Sequence, residues 1–329
     1  MSFAAWADPI HRGGNGPRPG WEDAGFEGYP TRAWSVSLSK RLGRCDRWHS
    51  VRRRALNRGV DPCTPIEEEE IVRAEGTLGS FVGAARDEVV HGTYRREGTW
   101  APELLDLLAT DLLATGGTLL DIGANIGLVA VPATEKCPIR TFAFEPDPRN
   151  AELLARNIGL HGLGERIEIH AKALWSEAGS LRLRRDPRNH GDQRLLPQGT
   201  SDQAHRQVPL ARLDSLVQAE QLAGPVVAKI DTQGAEVDVL QGAGDLLEHI
   251  DYAIVEVWPA GLRRLNRNLG ELVEILAGSF GWGRLLLEGE SIWPLNELRE
   301  EFDRLNAVTN LEDENTFFDI LVSRHATAG

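Results

Sequence analysis

The run Val226-Val-Ala-Lys229-Ile-Asp231 sets two charged residues two apart among apolar ones, so in a strand both side chains point to one face. Charges inside a buried strand are costly unless paired or used, which makes Lys229 and Asp231 candidates for proton transfer or for orienting a reacting hydroxyl. Lys229 serves as a base only if burial lowers its pKa, a shift that Asp231 beside it opposes. Asp231 is then the alternative base, with Lys229 orienting the acceptor. His190, in Arg188-Asn189-His190-Gly191-Asp192, is a third candidate because imidazole titrates near neutrality.

A second cluster surrounds Asp121. In TLLDIGANIGLVAV a strand runs into a glycine turn and a helix start, with Gly123 and Gly127 allowing close backbone approach to a ligand and Asn125 between them. A dinucleotide would place its pyrophosphate here, usually on G-x-G-x-x-G. This chain has G-x-N-x-G preceded by a carboxylate, which repels a pyrophosphate and favours a cationic, phosphate-free nucleoside, S-adenosylmethionine. Glu145, ending the run FAFEPDP, is placed to accept from both ribose hydroxyls, a spacing shared with NAD proteins. Glu256 ends AIVEVWP, and Asp231 and Glu256 form the pair that could share Mg²⁺; no further ligand is visible, so no metal site is assigned. Glu236, at a helix start, suits both the helix dipole and substrate contact.

The elements that must position these groups alternate. Strands are expected at Thr118 to Ile122, Arg140 to Glu145, Ile167 to Ala171, Val226 to Asp231 and Tyr252 to Val257, with helices at about 147–160 and 235–247. Short, near-continuous apolar strands separated by helices imply a doubly wound α/β fold whose parallel sheet is covered on both faces. Asp121, Glu145, Asp231 and Glu256 then share the carboxyl edge, where such folds bind ligands. An apolar-faced helix over Leu104 to Leu113 precedes them and ends at Gly116-Gly117. Leu269 to Ala277 reads as a later helix, and Arg284 to Leu287 and Phe317 to Val322 as the last strands. Residues 175–215 interrupt the rhythm with one hairpin strand, Leu181 to Arg185, and a polar loop. Thr64-Pro65 followed by four glutamates predicts a helix reaching about Glu75. The chain divides into a partly irregular, partly helical N-terminal extension, 1–75, and a catalytic domain, 76–329.

Composition narrows the function. The 329 residues include no apolar run approaching the roughly 20 that a membrane helix requires. The N-terminus lacks an apolar signal segment, and Cys45, Cys63 and Cys137 are scattered, so a cytoplasmic setting without membrane insertion is expected. Residues 1–60 carry 11 Lys or Arg against 5 Asp or Glu, and the remainder 25 against 44. The acidic catalytic part disfavours nucleic acid as a partner. The basic cluster Arg44 to Arg58 reads as a solvated helix face or a dock, and the extension is the candidate surface for homo-oligomer contact. Trp6, Trp21, Trp34, Trp48 and Trp100 are suited to core packing or to a sugar ring.

With DIGANIG, FEPDP and KIDTQGAE in this order, the chain resembles the FkbM family of S-adenosylmethionine-dependent methyltransferases from about Trp100 onward. Smaller matches are Leu154 to Asn157, Ala173-Leu174, Asn189-x-Gly191 and Arg212-Leu213-Asp214. The resemblance implies a class I methyltransferase (Rossmann-like) sheet of seven strands, mostly parallel with the last antiparallel. It further implies O-methylation of a sugar, glycan or natural-product hydroxyl, Ala173 at the cofactor, and Asn189 at the substrate with Glu236 and Glu256. The chain departs from the family at Thr232-Gln233, commonly Val-Glu, and at His161, commonly Asn. A NAD-dependent oxidoreductase and a non-catalytic binding protein on the same fold are the alternatives.

Overall fold

In the computed structural model, the residues described are 70–186, 188–197, 205–286, 296–298, 300, 302–303 and 316–325. Thr64 and the glutamates Glu67 to Glu69, Arg44 to Arg58, Cys45, Cys63 and the first four tryptophans lie outside them, as does the extension up to residue 69.

The main sheet contains β3 (Gly117–Ile122), β4 (Ile139–Phe144), β5 (Ile167–His170), β10 (Val226–Ile230), β11 (Tyr252–Val257), β12 (Trp282–Leu286), β13 (Asn296–Glu297) and β14 (Phe318–Ser323). Their order is β13-β12-β14-β11-β10-β3-β4-β5. Pairing is parallel from β5 through β11, while β14 runs antiparallel to both β11 and β12. Seven of these strands fulfil the expectation, and the two-residue β13 adds an edge.

Alternation along each strand explains why the runs look continuously apolar. Leu119, Ala143, Val227, Ile254 and Leu321 enter one core, and Leu120, Phe142, Ala228, Val255 and Ile320 enter the other. Each strand therefore buries both faces. Helices α2 (Pro102–Asp106), α3 (Ala130–Lys136) and α4 (Pro148–Leu160) border the first core; α5 (Glu236–Ala243) and α7 (Leu269–Ser279) border the second. The expected Leu104 to Leu113 helix is α2 continued by a π turn over Leu107–Leu112.

Helix α4 starts where the sequence says it should. Asp147 accepts from the amides of Arg149 and Asn150, and Pro148 occupies the first helical position, where its missing N–H costs nothing.

Two regions differ from expectation. Ile71–Gly76 is strand β1, paired antiparallel with β2 (Gly79–Ala84), so the hairpin crosses the boundary expected at residue 75 and no helix reaches Glu75. The hairpin is fixed to α4 through Asn157. Its side chain accepts from Val82 N (2.8 Å) and donates to Val82 O (3.0 Å) and Ile126 O (2.8 Å). His161, the departure from the family, bonds Ser80 O and Glu135 and packs on Phe81, so it is a structural tie.

The insertion is a sheet where a loop was expected: β6 (Ala173–Leu174), β9 (His205–Ala211), β7 (Gly179–Arg184) and β8 (Arg194–Leu196), in that order. Its inner face, Leu181, Leu183, Leu195, Val208 and Leu210, forms a third small core with Ala173 and Ala235. Helix α1 (Val90–Glu97) packs against the β1–β2 hairpin, and α6 (Pro259–Arg264) follows β11.

Candidate active site

A crevice opens at the carboxyl ends of β3, β4 and β10. It is lined by Gly123, Ala124, Asn125, Glu145, Pro146 and Asn150, by Lys172 to Leu174, and by Lys229, Asp231, Thr232 and Gln233. The insertion contributes Leu183, His190, Gly191, Gln193 and Leu195, and Trp100, Val90 and Leu104 close one side.

The glycine turn is strapped to its neighbours. Gly123 N and Ala124 N both donate to Phe144 O at 3.0 Å, and Asp231 N donates to Ile122 O at 3.1 Å. Gly123 has φ 83°, and a Cβ there would lie 1.9 Å from Asp231 O, so only glycine lets β10 close against the turn. Asn125, at φ 50°, donates to His190 O at 2.8 Å.

Glu145 is 5% exposed yet faces the crevice. Its Oε2 accepts from Asn125 N (2.9 Å) and its Oε1 from Asp147 N (2.8 Å). Burial, reinforced by the Asp147 charge, pushes its pKa up to about 8. Nearby Asn150 spends its amide N–H on His190 O (3.1 Å), leaving a buried Oδ1 without a partner on the crevice wall. An unsatisfied acceptor there costs about 1–3 kcal/mol until a ligand N–H or O–H reaches it. Phe144, Pro146, Ala173 and Leu174 supply the apolar remainder. Carboxylate, amide oxygen and apolar slot together fit a nucleoside. Sequence reasoning missed Asn150; the available signal was its place in the first turn of α4, three residues after the capping Asp147.

Lys229 and Asp121 stand opposite one another in register on β10 and β3. The Lys229 Nζ lies 3.4 Å from Asp121 Oδ1 and 3.6 Å from Asp231 Oδ2, and donates to Gly123 O at 2.8 Å. The Asp121 side chain has no exposed surface and does not line the crevice, whereas Asp231 is 25% exposed there. The inference that Asp121 meets the ligand is therefore corrected: it is an internal counter-ion to Lys229, its own pKa raised by burial. Burial would lower the Lys229 pKa, but Asp121 and Asp231 outweigh it and hold the value above that of ordinary lysine. An ammonium donating to Gly123 O with its pKa held up is poorly suited to take a proton.

The other expected site residues separate. His190 is buried, with its ring nitrogens 3.0 and 2.8 Å from an Arg149 guanidinium nitrogen, although its residue borders the crevice. Asn189 accepts from Gly191 N and shapes the turn instead of lining the crevice. Glu236 is fully buried. It accepts from Thr232 Oγ1 (3.0 Å) and Gly234 N (3.0 Å), and burial raises its pKa to about 7. Glu256 also stays off the crevice lining and accepts from Gln233 Nε2 at 2.6 Å. Among the described residues no group of three or more His, Cys, Asp or Glu is placed to hold a metal. Cys137 is buried and free, and no described helix is long and apolar enough to cross a membrane.

The strand order, the antiparallel β14 and a crevice on the carboxyl edge beside the first glycine turn define the class I methyltransferase fold. Residues 121–277 match the Methyltransferase FkbM domain.

Methyltransferase 1 of Beauveria bassiana is 30% identical over 161 residues, 42% of this chain and 64% of that protein. Methyltransferase sdnD of Sordaria araneosa is 29% identical over 178 residues, covering 44% and 68%. Hexuronic acid methyltransferase AglP of Haloferax volcanii is 29% identical over 140 residues, covering 42% and 55%. The chain spans just under two thirds of the first of these relatives and about half of the third. Likeness to solved structures is low: a protein in the NADB-Rossmann superfamily from Streptococcus agalactiae aligns at TM-score 0.37 and 14% identity, covering 68% of each chain. Neither the NAD oxidoreductase nor the non-catalytic reading finds support in the family or these relatives.

Proposed function

We propose that the chain is an S-adenosylmethionine-dependent O-methyltransferase acting on a hydroxyl of a sugar or related small molecule, with Asp231 as general base. The observation that carries this reading is one crevice shared by the glycine turn, Glu145, the unpartnered Asn150 Oδ1 and the half-buried Asp231 carboxylate. S-adenosylmethionine supplies an electrophilic methyl on a sulfonium; as the acceptor oxygen bonds to that carbon, the carbon–sulfur bond breaks and S-adenosylhomocysteine is left. Glu145 holds the ribose hydroxyls and Asn150 Oδ1 accepts from a ligand N–H or O–H. Asp231 takes the acceptor's hydroxyl proton, and Lys229, fixed on Gly123 O, orients that carboxylate. The relative that methylates a hexuronic acid supports a carbohydrate acceptor.

Calorimetric titration with S-adenosylhomocysteine tests the reading. Glu145→Ala should weaken binding about 100-fold, the scale of two hydrogen bonds to a charged group. Asp231→Asn should bind normally while methyl transfer to its acceptor falls roughly 10²–10⁴-fold. Unchanged affinity in the Glu145 variant, or no binding by the unaltered protein, rejects it.

A further inference from the structure

Asp231 and Glu256 stand at the carboxyl ends of adjacent parallel strands. Two carboxylates meeting there form a natural seat for a divalent cation, which prefers oxygen ligands. Here that seat is filled by the chain itself. Gln233 Nε2 donates to Asp231 Oδ1 at 3.1 Å and to Glu256 Oε2 at 2.6 Å, spending both amide hydrogens. The reverse orientation would set a carbonyl oxygen against two carboxylates, so the chemistry fixes which atom faces them. A cation bridging these oxygens at about 2.1 Å from each would compete for the volume this nitrogen occupies.

The position is held against a backbone cost. Gln233 has φ 57°, a left-handed conformation that is unfavourable for a side-chain-bearing residue. It is maintained on both sides: Glu236 accepts from Thr232 Oγ1 and Gly234 N, and Gly234 at φ 107° packs against Gly261, where a Cβ would meet the backbone at 2.5 Å. Positive charge reaches Asp231 from the other side, through Lys229 at 3.6 Å from Oδ2.

We infer that Gln233 takes the place of a divalent cation at this site, bridging Asp231 and Glu256 through its amide so that Asp231 is presented to the crevice without metal. Asp231 thus lies between an amide donor and an ammonium, and Gln233 Oε1 is left as an acceptor for a second hydroxyl of the substrate. The role of Asp231 as base rests on the methyl-transfer reading; the ion-binding consequence does not. Mg²⁺ does not fit this arrangement as it stands.

Mn²⁺ titration of the full chain by electron paramagnetic resonance, without cofactor or acceptor, reads the inference directly. The unaltered protein should show no binding attributable to Asp231 and Glu256 below about 1 mM. Gln233→Glu should gain Mn²⁺ affinity at least about tenfold, and adding Glu256→Gln should remove the gain. Gln233→Asp serves as the second acidic variant if Gln233→Glu does not fold, and S-adenosylhomocysteine titration monitors folding of each. Binding by the unaltered protein that Asp231→Asn or Glu256→Gln abolishes overturns the inference. So does a folded acidic variant that gains nothing. Failure of methyl transfer with every acceptor would sink the activity reading while leaving the Mn²⁺ result intact.

Discussion

The floor of the crevice and its roof are held by different forces. The floor is main chain: strand ends in register, a glycine turn strapped to Phe144 O, and one internal charge pair, Lys229 with Asp121. The roof, α1 with residues 185–195, is held largely by polar side chains reaching main-chain atoms. Asp87 accepts from Val89, Val90 and His91 amides and, at 3.4 Å, from His190 N. Asn125 and Asn150 both donate to His190 O, Glu88 N donates to Arg188 O, and Arg185 pairs with Asp147 at 3.0 Å. A floor built this way should fail as a whole when broken. A roof built from separate polar ties should loosen in steps, so substitutions in the two regions should differ in kind as well as size.

The largest expected effect is on the floor. Lys229→Met leaves Asp121 buried without its counter-ion, and breaking a buried pair by removing one partner costs about 3–5 kcal/mol. Denaturant unfolding should show that loss as a lower midpoint with an unchanged slope. A loss below about 1 kcal/mol, as for an exposed pair, would mean the pair is not sealed in the floor.

Next comes a pH effect located where floor meets ligand. On the proposed reading Glu145 must be ionised to accept from two ribose hydroxyls, and burial pushes its pKa up to about 8. S-adenosylhomocysteine affinity should therefore rise about tenfold per pH unit from 6 toward 8 and then level. Stability of the empty protein runs the other way. A carboxyl whose folded pKa is raised favours the fold fully below its free value of 4.5, and that advantage is lost as pH rises through about 8. Glu236, raised to about 7, adds to the same fall. Glu145→Gln should flatten the affinity profile; a profile that stays steep would place the titrating group elsewhere.

A smaller effect separates the roof. Asp87→Ala removes the ties at the start of α1, a loss of about 1–2 kcal/mol on the scale of a helix cap. Hydrogen exchange should rise in α1 and around His190 while the sheet strands keep their protection. Faster exchange spread evenly over β3, β4 and β10 would erase the distinction between the two regions.

The same division explains what was readable in advance. The floor announces itself because strand ends, glycines and their carboxylates are neighbours in sequence: Gly123, Glu145 and Asp231 were each visible, and the Asp147-Pro148 cap placed α4, whereas Gly127, expected at the ligand, lies off the crevice lining and packs closely against Leu154. Direction was harder. Asp121 lies on the strand's apolar side opposite Lys229, so a carboxylate beside the glycine turn was read as facing the ligand when it faces a lysine. The roof depends on contacts far apart in sequence. Asp87 with His190, and Asn157 with Val82, leave no local pattern. The insertion showed only the Leu-Arg alternation of β7; β8 has just three residues, and β9 opens with the polar run His205-Arg206-Gln207 before its buried Val208 and Leu210. The β1–β2 hairpin was hidden by the glutamates before it, which read as a helix start.

His190 gives the finest test, because it belongs to the roof yet was a candidate for chemistry. Its main chain carries the tie, accepting from Asn125 and Asn150, while its ring meets Arg149 Nη2 at 3.0 and 2.8 Å. Because a guanidinium only donates, a neutral ring nitrogen meeting it must present its lone pair, which is then unavailable for an acceptor's proton. Substituting the side chain leaves the carbonyl in place, so His190→Gln should lower kcat by less than about threefold and leave the acid limb of the pH profile where it was. A fall of about 10²–10⁴, the range for loss of a general base, would move the imidazole into the reaction and make the roof a partner in catalysis.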